Sequence, residues 1–172
     1  MAQTSSKKIM RHATAVMLSM FFCLSGSAQQ TSDQHHQEVI ERGDRVMGFS
    51  HEKTIHHFRL FPDGGSIEAL ATNPSDATSR QEIREHLQHI AMMFSQGNFN
   101  APMLIHARTP PGVPTMKKLR TEIRYQVEDL PAGVRVRVSS QNPEAVNAIH
   151  EFLKFQIRDH QTGDTTAIDP GT

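Results

Sequence analysis

Histidine is the residue type with which this chain could do chemistry. There are eleven histidines among the 172 residues, and ten of them follow residue 28. His86 and His89 stand three residues apart, while His56 and His57 are neighbours. Imidazole is the commonest metal ligand among side chains when it is neutral, and it titrates near neutral pH. Metal binding and proton uptake are therefore the two kinds of chemistry to weigh.

The strongest ligand pattern lies on the first predicted helix, Ala77–Ser95. Beside its apolar stripe, one flank carries an acid, two imidazoles and a thioether, and an i, i+3 histidine pair can share one ion. The alternative is a solvated flank whose methionine packs at the edge of the core. The flank residues are Glu82, His86, His89 and Met93.

A neighbouring strand can supply a third imidazole. Side chains alternate along a strand, so His56, in phase with Phe58, points toward the predicted helices, and His57 points away. We predict a site for Zn²⁺, Cu²⁺ or Ni²⁺ formed by His56, His86 and His89, because three imidazoles without a thiolate suit these ions. The alternative is that His56 is a half-buried residue held by a hydrogen bond.

The second predicted helix offers another group of histidines. His150 and His160 fall within its apolar stripe, where a histidine is more often a hydrogen-bonded core residue than a ligand. Packed between elements, they could also form a second site that His106 completes. The secondary ligand candidates are His57, His106, His150, His160, Met93 and Glu82.

Other chemistries find little support in the sequence. His51-Glu52 is followed by His56, one residue too far for the H-E-x-x-H spacing of zinc proteases, and neither a G-x-S-x-G elbow nor a P-loop occurs. The balance of 18 basic against 18 acidic residues argues against a dedicated nucleic-acid binder. No acid-base or nucleophile arrangement predicts an enzyme.

The beginning of the chain has the pattern of a signal peptide. Lys7, Lys8 and Arg11 precede an apolar run at residues 13–24, and small residues follow up to Ala28. We therefore expect residues 1–28 to be removed and the protein to be periplasmic or extracellular. The lone cysteine, Cys23, would leave with the peptide. No later segment is apolar enough for stable membrane insertion.

The remaining chain contains the same predicted unit twice, two strands followed by a helix. Strands predicted at residues 54–61 and 66–71 flank a Pro-Asp-Gly-Gly turn, and an amphipathic helix follows over Ala77–Ser95. Residues 121–160 repeat this order after a proline-rich loop that is too broken for a helix.

This order predicts an α+β two-layer sandwich, in which a four-stranded antiparallel sheet carries two helices on one face. The single domain would span residues 46–161, with ββα units at 54–96 and 121–160. We expect residues 29–45 to be flexible and residues 162–172 to be a disordered tail. A homodimer across the outer sheet face or an edge is possible.

Three segments resemble a group of small exported bacterial proteins of unassigned function. They are GFSHEKTIHHF at residues 48–58, APMLIHARTPPGVP at 101–114 and IHEFLKFQIRDHQTGD at 149–164. The resemblance implies export, and it brings no activity, substrate or catalytic residue with it.

Three functions remain open at this point. The first is an exported histidine-rich metal-binding protein that acts as a carrier, buffer or sensor domain. The second is an exported module that binds a protein or peptide at its sheet or proline-rich loop, with histidines as pH-sensitive groups. The third is a metal-dependent enzyme. Convergence of three imidazoles on one point would favour the first.

The leader pattern generates a prediction about processing. Because the basic residues, the short apolar run and the small residues near Ala28 match a signal peptide, the exported chain should begin near Gln29. Intact-mass spectrometry of the secreted or periplasmic protein measures this directly. A mature protein that retains Met1 and the apolar run would contradict it.

Overall fold

The computed structural model of the chain describes residues 25–48 and 50–170. The chain divides into two units, Met1–Asp33 and Gln34–Thr172. Of the first unit, only the beginning of helix α1, Ser25–Met47, is described. The predicted signal peptide lies outside the described residues up to residue 24. All contacts given below are within the second unit.

The second unit is mixed α+β, with one antiparallel sheet in the strand order β1-β2-β4-β3. The strands are β1 Thr54–Phe61, β2 Gly64–Ala71, β3 Ile123–Leu130 and β4 Gly133–Ser140. The helices that follow α1 are α2 Ala77–Ser95, α3 Asn100–His106, α4 Val113–Lys118 and α5 Pro143–Asp159. No helix in the described part of the chain is long and apolar enough to cross a membrane.

The sheet follows from its turn residues and from the alternation of buried and solvent-facing side chains along its strands. The predicted Pro-Asp-Gly-Gly turn joins β1 to β2, and Gly64 adopts a φ of 144°, which other residues rarely tolerate. The pairing of Ile67 with Val136 joins the two hairpins through β2 and β4. The predicted four-stranded antiparallel sheet is thereby confirmed, and the buried side chains of β4 are Val134, Val136 and Val138.

Local signals also set the two long helices. Asp76 caps α2 by accepting a hydrogen bond from the backbone N–H of Ser79, and Asn142 does the same for α5 through Glu144. The predicted bounds of α2 are confirmed. This helix packs against β3 and β4, whereas α5 packs mainly against β1 and β2. A ring cluster of Phe94, Phe99, Phe152 and Tyr125 fills the space around α2 and α5.

The proline-rich connection is helical in two places, so the prediction of a helix-free loop is wrong. Pro102 lies in the first turn of α3 and Pro114 in the first turn of α4. Proline is tolerated there because the N–H groups of the first turn have no partner within the helix. Met116 and Val113 anchor α4 in the core.

The segment expected to be flexible, residues 29–45, is part of α1. Val39 and Gly43 are buried, and Val46 and Met47 pack against the core. Arg42 donates a hydrogen bond of 2.6 Å from Nε to the carbonyl oxygen of Ile105. These contacts show that an apolar stripe of α1 is stabilised by packing on the domain rather than by helix propensity alone.

The polar tail also differs from the disorder expected for it. Residue Asp164 accepts hydrogen bonds from the backbone N–H of Phe58 at 2.9 Å and from Thr162. Further along, Ile168 forms a bridge with Leu60, and the backbone N–H of Asp169 donates to the Leu60 carbonyl. The tail therefore runs along the free edge of β1.

The packing of α5 on the sheet generates a stability prediction. Leu153 is 0% exposed, and Gly65 of β2 approaches it so closely that an added Cβ would lie 2.2 Å from Leu153 Cδ1. Leu153→Ala should lower the free energy of unfolding by about 2–5 kcal/mol. Urea denaturation measures the change. The control is Glu151→Ala, an exposed position of the same helix, and a loss below about 0.5 kcal/mol for Leu153→Ala would contradict the packing.

Candidate functional site

Four imidazoles of the domain are neighbours in space, each interacting with the next. We call them the histidine row: His86, His56, His160 and His106. The rings of His56 and His160 are stacked, with centroids 6.3 Å apart. His160 meets His106 nearly at right angles, with centroids 4.9 Å apart. His86 interacts electrostatically with His56. The row joins four separate elements of the fold.

Each member is positioned by its own element. His56 lies on β1 in phase with Phe58 and Leu60, which are buried, so it points inward as predicted. His86 lies on the flank of α2, whereas His160 follows the last residue of α5 and caps its C-terminus. The ring of His160 also stacks on Phe58 at 5.8 Å. His106 ends α3.

His106 is held between a carboxylate and an amide. Its Nδ1 lies 2.5 Å from Oδ2 of Asp159, and its Nε2 lies 2.9 Å from the side-chain amide of Gln156. Burial lowers the pKa of His106, although both hydrogen bonds oppose this. Both ring nitrogens thus face oxygen acceptors, Oδ2 of Asp159 and Oε1 of Gln156. The neutral ring can donate to only one of them, and the shorter contact assigns that hydrogen bond to Nδ1 and Asp159.

Asp159 is the charge centre beside the row. It is buried, and besides His106 it contacts His35 of α1 at 3.1 Å and Arg108 at 2.8 Å. Burial alone would raise the pKa of this carboxyl group, but the hydrogen bonds from His35 and His106 outweigh burial and hold the pKa below its ordinary value. Asp159 therefore stays ionised and ties α1 and α3 to the end of α5.

Burial keeps the other three imidazoles neutral. It lowers the pKa of His56 to about 4, that of His86 to about 4 and that of His160 to about 3. Repulsion between neighbouring imidazoles in their protonated forms adds to this shift, between His86 and His56 and between His160 and His106. At neutral pH these rings are uncharged and can act as lone-pair donors.

His36 is a residue that the sequence reasoning left out of the site, because it placed His36 in a flexible segment. Its Nδ1 is buried and has no hydrogen-bond partner among the described residues. It also contributes to the lowered pKa of His160. The signal that could have found it is the apolar repeat of Val39, Gly43 and Val46 on the same helix.

The remaining predicted ligands lie apart from the row. His89 and Glu82 are exposed on α2, and Met93 packs at the edge of the core as the alternative interpretation held. His57 lies on the other face of β1, with Nδ1 at 2.9 Å from Asp164. His150 lies 2.8 Å from the carbonyl oxygen of Phe61, so it is a hydrogen-bonded core histidine.

The row is not arranged as a finished metal centre. Within residues 25–48 and 50–170, no group of three or more histidine, cysteine, aspartate or glutamate side chains is placed to hold an ion. The rings of His56 and His160 lie face to face at an interplanar angle of 16°, whereas shared ligands direct ring-edge nitrogens at one point. As it stands, the row holds one buried and three half-buried imidazoles next to one another in their neutral form.

The lowered pKa values generate a prediction about stability and pH. In the unfolded chain each histidine takes up a proton near pH 6.5, whereas the folded chain resists until about pH 4 at His56. The folded state thus binds fewer protons, and its stability should be full above about pH 6.5 and fall as the pH drops toward 4. For His56 alone the loss is roughly 3 kcal/mol. Urea denaturation across this range, with a chelator present, measures it.

Two variants test whether the row causes this dependence. His160→Phe keeps an aromatic ring on Phe58 and removes one titrating group, so the slope near pH 5 should fall by roughly 1.4 kcal/mol per pH unit. The control His89→Gln changes an exposed histidine of α2 and should leave the slope as in the wild type. Equal slopes in all three proteins would show that His160 is not buried as a neutral ring.

Comparisons with known proteins add no relative. No protein-family model matches the chain, and no curated protein or solved structure matches it either. The function is accordingly inferred from the side chains and their surroundings.

Proposed function

We propose that this protein is a small exported histidine-rich metal-binding protein, a carrier, buffer or sensor domain for Zn²⁺, Cu²⁺ or Ni²⁺. The ligands we assign are His56, His86 and His160. The observation that carries the proposal is the interaction of these three imidazoles inside the domain, where burial holds their pKa values at about 4, 4 and 3. Neutral imidazole is the form that binds a metal ion.

The contrast with the other histidines supports this choice. His35, His51, His57 and His106 each contact a carboxylate, and His150 contacts a backbone carbonyl. In these pairs the imidazole already has a hydrogen-bonding function within the fold. His56 and His160 instead stack on each other, so the lone pairs of these two rings are the ones that an ion would recruit.

Binding requires the rings to turn. Two imidazoles on one ion, each about 2.0–2.1 Å from it, bring their nitrogens to roughly 3.3 Å from each other in a tetrahedral site. The stacked rings of His56 and His160, with centroids 6.3 Å apart, would have to rotate about χ1 and χ2 until their edges converge. The χ2 torsion of histidine is broad, so the χ2 part of this rotation is inexpensive, whereas χ1 must change between staggered rotamers. We assign the fourth nitrogen to His36. The support is that its buried Nδ1 lacks a partner among the described residues and that it interacts electrostatically with His160.

The finer architecture belongs to the same proposal. We infer that α2 and α5 form one layer over the inner face of the sheet, so that two ββα units make a two-layer sandwich. The support is that both helices pack on the strands and that the inward phase of β1 and β4 is buried. Export would follow from the leader pattern near Ala28.

Calorimetric titration of the chain from Gln29 onward with Zn²⁺, Cu²⁺ and Ni²⁺ tests the assignment. We expect one tight site, weakened at least about tenfold by His86→Ala or by His160→Phe. The matched control is His89→Ala, because His89 is an exposed histidine of the same helix. Circular dichroism confirms that each variant is folded. Binding that persists at about pH 5.5 would distinguish the buried row from surface histidines, which are then protonated.

Two results would contradict the proposal. One is weak binding at several sites in the wild type, and the other is unchanged binding in both His86→Ala and His160→Phe. Either result would make the interaction module the better interpretation. That second candidate is favoured by the lack of a preformed three-ligand group in the described residues.

A further inference from the structure

The sheet has two edge strands, and they differ in what covers them. Along β1, the backbone N–H of Phe58 donates to Asp164. Further along, the carbonyl of Leu60 accepts from the backbone N–H of Asp169. Strand β3 forms the other edge, and among the described residues β4 is the only partner of its backbone. The outer side of β3 is therefore open to another strand.

The hairpin geometry identifies the backbone groups on this open side. A two-residue turn joins β3 to β4, and its flanking residues Leu130 and Gly133 are paired. The pair that closes such a turn is hydrogen-bonded, and hydrogen-bonded pairs then alternate with non-hydrogen-bonded ones. In β1 the same rule directs the backbone of Phe58 and Leu60 outward, where the tail bonds to them. In β3 the outward backbone groups belong to Ile123, Tyr125, Val127 and Asp129.

A row of alternating charges crosses the outer face of the sheet and ends at β3. Arg135 of β4 donates to Glu68 of β2 at 2.8 Å and to Glu128 of β3 at 3.4 Å. Arg124 of β3 is exposed, and no acidic group of the described residues pairs with it. Because side chains alternate along a strand, Arg124 and Glu128 lie on the same face. β3 thus carries a free cation and, four residues further along, the carboxylate that ends the row.

We propose that β3 pairs antiparallel with β3 of a second copy of the chain, so that two sheets join into one. The outward backbone groups allow the register centred on Gln126, in which Arg124 of each copy lies opposite Glu128 of the other. This is a non-hydrogen-bonded pair, whose side chains are close. The two-fold symmetry forms the ion pair twice. Moving the register by two residues places Arg124 opposite Gln126 or Leu130 and removes both ion pairs.

The inward side of β3 favours the same partner. Tyr125 and Val127 are half-buried and pack at the edge of the core. In this register Tyr125 of each copy lies opposite Val127 of the other, and an aromatic residue opposite a β-branched one is a favourable cross-strand pair. Pairing also removes more of their apolar surface from water.

Sedimentation velocity of the protein recovered from cells that express the full chain tests the proposal, over roughly 1–500 μM protein. One strand edge buries less area than a standard interface, so we expect a dimer whose fraction rises with concentration. A chelator is present, so a metal ion cannot join two copies and the outcome is independent of the metal proposal. A monomer at every concentration would overturn the proposal, as would assembly beyond the dimer.

An exchange of charges tests the register. Arg124→Glu sets carboxylates opposite each other and should weaken dimerisation roughly tenfold, whereas the control Arg45→Glu, at an exposed position of α1, should leave it unchanged. Glu128→Arg alone should also weaken it. An equimolar mixture of the Arg124→Glu and Glu128→Arg proteins should dimerise again, because every opposed pair then joins a carboxylate to a guanidinium group. Unchanged dimerisation of Arg124→Glu, or no recovery in the mixture, would overturn the proposed pairing.

Discussion

The histidine row depends on one buried carboxylate, that of Asp159. Taking a charge out of water is costly unless partners compensate for it. Here the partners come from two segments distant in sequence, which are α1 with His35 and the end of α3 with His106 and Arg108. Because Asp159 is the last residue of α5, satisfying its charge brings α1 and α3 to that end of the helix. The next residue, His160, is thereby set among other imidazoles and against β1.

The parts of the fold that short-range signals control could be predicted from the sequence. The Pro-Asp-Gly-Gly turn, the alternation of Val134, Val136 and Val138 and the period of α2 each act within a few residues. The helix α1 could not be predicted, because its stability comes from packing of Val39 and from the contact of Arg42 with Ile105. The same holds for α3, where a proline in the first turn looked like a helix breaker.

Of the histidine row, only the positions of His56 and His86 could be predicted from the sequence. Strand phase placed His56 correctly on the inward face, and helix phase placed His86 toward it, because both follow from local geometry. His89, three residues further along α2, is exposed, because it lies farther round the helix from the apolar stripe than His86 does. The stacking of His160 on His56 joins residues about a hundred positions apart, and no spacing rule connects a strand with the end of a distant helix.

The tail along β1 has a consequence for the solution behaviour of the domain. β1 is an edge strand, and an uncovered edge offers its backbone groups to any other extended chain, including a second copy. Asp164 accepts a hydrogen bond from the backbone N–H of Phe58. Ile168 forms a bridge with Leu60, and the backbone N–H of Asp169 donates to the Leu60 carbonyl. Residues 164–169 therefore block the pairing of β1 with another strand. Proteolytic removal of this short polar segment would leave the backbone groups of β1 free to pair with a second chain.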